Sequence, residues 1–234
     1  MAGTYRKIHD GLLDQYFDSD KKVILMALHK HGSSTITNAM EDTTNSFTLA
    51  PYMPDYDHTD HTWESIHSFR PQYKEFDKYI TYRDFESVWI SAFCYETRTS
   101  HFKPLLQGTK DEVKGKVYDA LKAAGGVDVF CNQDFKSMNG TYMSICYAST
   151  FPAVADQIVE ECTPVEVSHL PNFLTRFVEG EVKKPQVNKT SDESRIGVTE
   201  AFDELGIMDR LKEMYKSDYM FKEKLKEKLS IIGK

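Results

Sequence analysis

The stretch Lys22–Asn38 constrains this chain most. An unbroken apolar run, Val23–Leu28, empties into His29-Lys30-His31-Gly32-Ser33-Ser34-Thr35, after which Ile36, Ala39 and Met40 continue at helical spacing. A short continuous apolar run closed by a glycine turn reads as a strand buried on both faces, the kind found in parallel sheets covered by helices. A strand that hands over to a Gly/Ser/Thr turn at a helix start aims backbone N–H groups, a helix dipole and Lys30 at one place. Such a place suits an anion.

The same hand-over recurs. Lys78–Tyr82 reads as a strand, Arg83-Asp84 follows, and Val88, Trp89, Ala92, Phe93 and Glu96 trace a helix. Ser46–Ala50 reads as a second short strand, and Pro51–Asp60 as a Pro/Asp/Tyr-rich loop. Lys110–Ala124 is predicted as an amphipathic helix ended by Gly125-Gly126, and Val154–Glu161 as another before the strand-like Pro164–Val167. Leu170–Val178 is a short helix. At the N-terminal end, segment 1–20, the stripe Ile8, Leu12, Leu13, Tyr16 and Phe17 predicts a helix over residues 4–20. Glu181–Gly197, carried on to 199, is expected to be a polar loop. Ile207, Leu211, Met214, Tyr215, Phe221, Leu225 and Leu229 predict one long C-terminal helix over 205–230. Strands alternating with helices argue an α/β fold, a mostly parallel central sheet flanked by helices, in a single domain over 1–234.

Composition narrows the partners. A net charge of −7 excludes a broad electrostatic grip on nucleic acid or on an anionic membrane, so an anion must be met locally. No stretch approaches the ~20 apolar residues that span a bilayer, and the first residues lack a continuous apolar leader. A soluble, cytoplasmic protein is expected. Cys94, Cys131, Cys146 and Cys162 lie far apart with no CxxC pair, which fits reduced thiols rather than a disulfide frame or a zinc site.

The first turn is not a nucleotide-hydrolase P-loop, because its lysine precedes the glycine. It resembles the 5′-phosphosulfate loop of sulfotransferases, where a strand ends in a Pro-Lys-x-Gly-(Ser/Thr)-(Ser/Thr) type sequence before a helix. Arg83 to Ser91 resembles the 3′-phosphate motif of the same family, in which Arg-Asp-Pro begins a helix and a serine follows eight residues after the arginine. Here Phe85 stands where proline is usual, a change at a helix-start residue rather than at a phosphate ligand. Two further stretches look like features of the carbohydrate-type, heparan-type branch. Pro185-Gln186-Val187-Asn188-Lys189-Thr190-Ser191 is similar to its Pro-x-x-Asn-x-Ser loop, and Tyr215-Lys216-Ser217-Asp218 to its closing Tyr-x-x-Asp helix.

The resemblance implies a P-loop-like sulfotransferase architecture and transfer of a sulfuryl group from 3′-phosphoadenylyl sulfate to an acceptor hydroxyl or amine. The acceptor would be a small molecule or a saccharide, the product adenosine 3′,5′-bisphosphate, and no metal would take part. It implies Lys30 at the leaving group, and Lys30, His31, Gly32, Ser33, Ser34, Thr35, Arg83, Ser91, Asn188, Lys189 and Ser191 around the cofactor. A His or Glu serves as base in this family. His29, His31, His58, His61, Glu64 and His67 are in range. His67 is preferred because its place resembles that of the catalytic histidine in members acting on uronic acid, with Glu64 in reserve. Without an N-terminal membrane helix the chain looks like a bacterial or viral cytosolic relative. Two competing readings stand beside this one. Asp55, Asp57, His58, Asp60 and His61 could ligate a divalent metal in a phosphohydrolase, and a catalytically silent nucleotide-binding protein could carry the same fold.

Overall fold

The computed structural model describes residues 5–9, 13–18, 21–28, 30–41, 48–49, 71–99, 107–128, 147–177 and 191–232. In chain order these form β1 (Tyr5–His9), β2 (Leu13–Asp18), β3 (Val23–Leu28), α1 (Ser33–Glu41), β4 (Thr48–Leu49), β5 (Asp77–Tyr82), α2 (Phe85–Thr99) and α3 (Lys110–Ala124). They continue with α4 (Tyr147–Thr150), α5 (Pro152–Glu161), β6 (Thr163–Glu166), α6 (Leu170–Leu174), α7 (Asp192–Glu204), α8 (Ile207–Met214) and α9 (Lys216–Ile232). The sheet order is β4-β1-β2-β3-β5-β6. The half made of β3, β5 and β6 is parallel, with Met26 opposite Ile80 and Tyr79 opposite Thr163. The other half is mixed, since β2 runs antiparallel to both β1 and β3 while β4 joins β1 in parallel. An α/β architecture therefore holds, with the parallel character concentrated where both strand-to-helix turns lie.

Every residue of β3 is buried, as its apolar run requires. Alternate side chains serve opposite faces. Ile24, Met26 and Leu28 join Leu13, Phe17, Ile80, Val154, Ile158, Phe221 and Leu225 under α5 and α9. Leu25 and Ala27 join Tyr16, Ile36, Val165, Leu170 and Phe173 under α1 and α6. A third core is purely helical: Trp89, Phe93, Val113, Val117, Val198, Phe202 and Leu211 from α2, α3, α7 and α8.

Three expectations are corrected. Residues 4–20 are not a helix but hold the paired strands β1 and β2. A spacing of four places Leu13 and Phe17 on one face of a strand as well as of a helix, because four is a multiple of two, and Tyr16 indeed faces the opposite core. The Asp10-Gly11 dipeptide is a turn signal in the sequence that argues against one continuous helix there. The polar loop 181–199 is shorter than expected at its C-terminal end, since α7 begins at Asp192 behind the N-cap Ser191, whose hydroxyl accepts from Ser194 N–H at 3.2 Å. Small residues hid the start of this helix: Ser194, Gly197, Val198 and Ala201 precede Phe202 on its buried face. Residues 181–190 lie outside the described residues. The single C-terminal helix is two helices, broken at Tyr215, whose ring stacks on Trp89 with centroids 5.0 Å apart. Ile207 and Leu211 pack in the helical core and Phe221 and Leu225 under the sheet, so one straight rod could not serve both. The short strand expected at Ser46–Ala50 is found as Thr48–Leu49.

The close approach of α7 to α3 makes a prediction. A Cβ on Gly197 would stand 2.5 Å from the backbone oxygen of Lys110 and 3.2 Å from Val113 Cβ. Backbone cannot rotate away as a side chain can, so Gly197→Ala is expected to cost about 1–3 kcal/mol in urea denaturation despite alanine's better helix propensity. A neutral or stabilising result would show that the two helices part freely. Among the described residues no helix is long and apolar enough to cross a membrane.

Candidate anion site

The connection leaving β3 leads to β4 on one side of it, and β5, the strand that pairs with β3 on the other side, is followed by β6 still further out. Neighbouring parallel strands whose onward connections diverge open a crevice at their carboxyl ends, the usual place for a ligand in such sheets. The turns after β3 and β5 lie at this crevice.

After β3, Lys30 takes a left-handed backbone, φ +65°, and Gly32 follows at φ +90°. His31 N–H donates to Leu28 O at 3.1 Å, while Gly32 O accepts from Thr35 N–H at 2.9 Å and Ile36 N–H at 3.1 Å. The N–H groups of Ser33 and Ser34 thus open α1 with no intrahelical acceptor, as the first amides of any helix do. Thr35 N–H, in contrast, is spent inside the turn. From β2, the Tyr16 hydroxyl donates to Ser33 O at 3.2 Å and ties the helix start to the sheet.

After β5, Asp84 caps α2 by accepting from Ser87 N–H at 2.8 Å. Phe85, in the usual proline position, is buried in the helical core against Trp89 and Tyr219. Arg83 turns toward the first loop, and its Nη1 donates to Lys30 O at 3.1 Å. Among the described residues this is the only hydrogen bond of a guanidinium that carries five N–H donors. Burial first, and then the nearby charge of Arg195, pull the Arg83 pKa down to about 10. Ser91 lies half-buried, two turns into α2.

Two further cations converge here, and sequence reasoning passed over both. Arg195, in the first turn of α7, is the largest charge influence on Arg83 and makes no ion pair among the described residues. It lay inside the segment read as a polar loop; its signal was Ser191 followed by acidic Asp192 and Glu193, a helix-start pattern. Lys222, on α9, is only 2% exposed, and its Nζ contacts Nε2 of His31, itself fully buried. Its signal was a lysine in line with Asp218, Leu225 and Leu229 on the apolar stripe of α9. Burial lowers the Lys222 pKa to about 7, the opposing pulls of Asp218 and Asp84 notwithstanding.

Asp218 is equally buried but committed elsewhere. It accepts from Ala148 N–H at 2.8 Å, from Ser149 N–H at 3.3 Å and from the Ser149 hydroxyl, so it caps α4. Burial pushes its carboxyl upward against those bonds.

The crevice therefore brings together Lys30, Gly32, Ser33, Ser34 and Arg83 of the expected set. His31 is present in the turn but directs its ring inward to Lys222. Ser191 uses its hydroxyl as a helix cap. Glu64, His67, Asn188 and Lys189, and the cluster Asp55, Asp57, His58, Asp60 and His61, lie outside the described residues. Chemically, a helix start, a guanidinium with spare donors and further cations that make no ion pair among the described residues can hold an oxyanion or a pair of them. No protein-family model, curated protein or solved structure matches the chain.

Proposed function

We propose that the chain is a sulfotransferase that binds 3′-phosphoadenylyl sulfate across this crevice and transfers its sulfuryl group to an acceptor hydroxyl or amine, a saccharide among the candidates. One observation carries the reading: the Lys30 turn and Arg83 sit at the ends of adjacent parallel strands and are tied by the 3.1 Å bond from Arg83 to Lys30 O. A ligand with phosphates at both its 5′ and 3′ positions has two anionic ends to fill two such neighbouring cradles. The spare N–H groups of Arg83 and the uncompensated Arg195 fit the charge of such a group.

When bound, 3′-phosphoadenylyl sulfate would supply the sulfuryl group and the phosphate leaving group. Lys30 and the amides of Gly32, Ser33 and Ser34 would hold the 5′-phosphate and neutralise the charge that grows on its bridging oxygen as the S–O bond breaks. Arg83, Ser91 and Arg195 would hold the 3′-phosphate, orienting the donor for in-line attack. His67, with Glu64 as the alternative, would take the acceptor's proton.

A thermal-shift series tests the cofactor. Adenosine 3′,5′-bisphosphate at about 100 times its Kd is expected to add about 2.7 kcal/mol, a rise in Tm of roughly 5–10 °C for a chain of this size, with AMP, ADP and ATP doing far less. Equal shifts for all four nucleotides, or none for any, would overturn the reading.

A further inference from the structure

The contact between Lys222 and His31 is chemically restrictive. Lysine and imidazolium nitrogens are both donors, so when Nζ meets Nε2 one of the two groups must be the neutral acceptor. The pair can hold one positive charge or none, never two. Both residues are buried, and no carboxylate lies within ion-pair distance of Lys222 among the described residues. The charged and titratable groups facing it are Asp218 on its own helix, Asp84 and Arg83 at the β5–α2 junction, and His31 from the loop. Asp218 is engaged by the amides of α4, and Arg83 works against a second cation. A buried ammonium in this position has no carboxylate in direct contact to hold its proton, only the more distant pulls of Asp218 and Asp84.

We propose that Lys222 is part of the anion site, the group through which ligand binding at the Lys30–Ser34 turn takes up a proton. An oxyanion seated on the amides beside His31 adds negative charge next to the pair and draws Lys222 into its charged form. Empty, the site sheds that charge and avoids an unpaired buried cation. The inference rests on the anion-binding reading of the crevice, but not on sulfur chemistry. The depression of Lys222 toward 7 agrees with it.

Calorimetry of adenosine 3′,5′-bisphosphate at pH 8, run in buffers of different ionisation enthalpy, counts the protons. At that pH the ligand's phosphates are fully ionised, since their second ionisation lies near 6. Arg83, near 10, is already charged. The wild-type protein is expected to take up most of one proton per ligand, from a lysine that burial lowers to about 7 when the site is empty. Lys222→Met and Lys222→Arg are each expected to bring the count close to zero, one by removing the titrating group and the other by keeping it charged. Should one variant fail to fold, the other and the wild-type count decide. Binding without uptake, or uptake that a folded variant retains, overturns the role of Lys222 and leaves the proposed donor standing. If adenosine 3′,5′-bisphosphate does not bind while inorganic pyrophosphate binds with Lys222-dependent uptake, the donor reading fails and the role of Lys222 holds. If neither binds, both fall.

Discussion

Lys30→Ala is expected, under the proposed sulfuryl transfer, to lower turnover by about 10²–10³-fold, roughly 3–4 kcal/mol of transition-state stabilisation, the usual effect of deleting one group aimed at developing charge. The fold should survive. Lysine already occupies a left-handed backbone there, φ +65°, and alanine carries the same Cβ into the same strain. Arg83 bonds to the backbone oxygen of residue 30, which the substitution leaves in place. The loss thus reports the ammonium rather than the loop. Lys30→Gly removes the same charge while relieving the backbone, so the two variants should be equally slow even though glycine is the more stable. Release of adenosine 3′,5′-bisphosphate from saturating donor, with a saccharide acceptor present, measures it. Unchanged turnover in both variants would remove Lys30 from the chemistry.

Gly32→Ala is expected to be the most damaging single substitution for stability in the turn, about 2–4 kcal/mol, since it combines a φ of +90° with a close approach. Its Cβ would stand 2.8 Å from Leu170 Cδ2 and 3.6 Å from both Val167 methyls. Leu170 is fully buried among Ile36, Val165 and Leu174, so its methyl has nowhere to retreat. The turn would have to shift, carrying the amides of Ser33 and Ser34 with it. Urea denaturation of Gly32→Ala, Leu170→Ala and the double variant separates the two causes. The clash component should vanish in the double variant, which is then less destabilised than the sum of the singles by about 1 kcal/mol or more. Strict additivity would mean that backbone strain alone sets the cost.

The parts of the site that were legible in the sequence are those set by short-range chemistry. The β3 run, the glycine turn and the start of α1 lie within a few residues of one another, as do β5, Arg83 and the Asp84 cap of α2. The helix over Lys110–Ala124 was equally readable, because its amphipathic period and Gly125-Gly126 terminus are local signals, and the structure adds a Thr109/Glu112 capping box at its start. Where the local pattern was ambiguous, reading it failed. A four-residue spacing is common to both periods at Leu13 and Phe17, and the small residues in the first turns of α7 gave too little apolar contrast to mark where that helix begins. The break at Tyr215 was illegible for another reason: the helical period runs on through it, and only the separate cores on either side require the bend.

By itself, then, the sequence determined two strand-to-helix turns, each with a cation and a helix start, because turn chemistry and hydrophobic period act over less than ten or so residues. Their meeting was decided by the tertiary structure, through the parallel pairing of β3 with β5 while β1 and β2 filled the other side. Packing also chose which distant cations come near the two turns: Arg195 from α7, whose charge acts on Arg83, and Lys222 from α9, buried against His31. The physical reason is that pairing and burial are won in competition among all segments of the chain at once, and a lysine's charge is then decided by the company it is buried in.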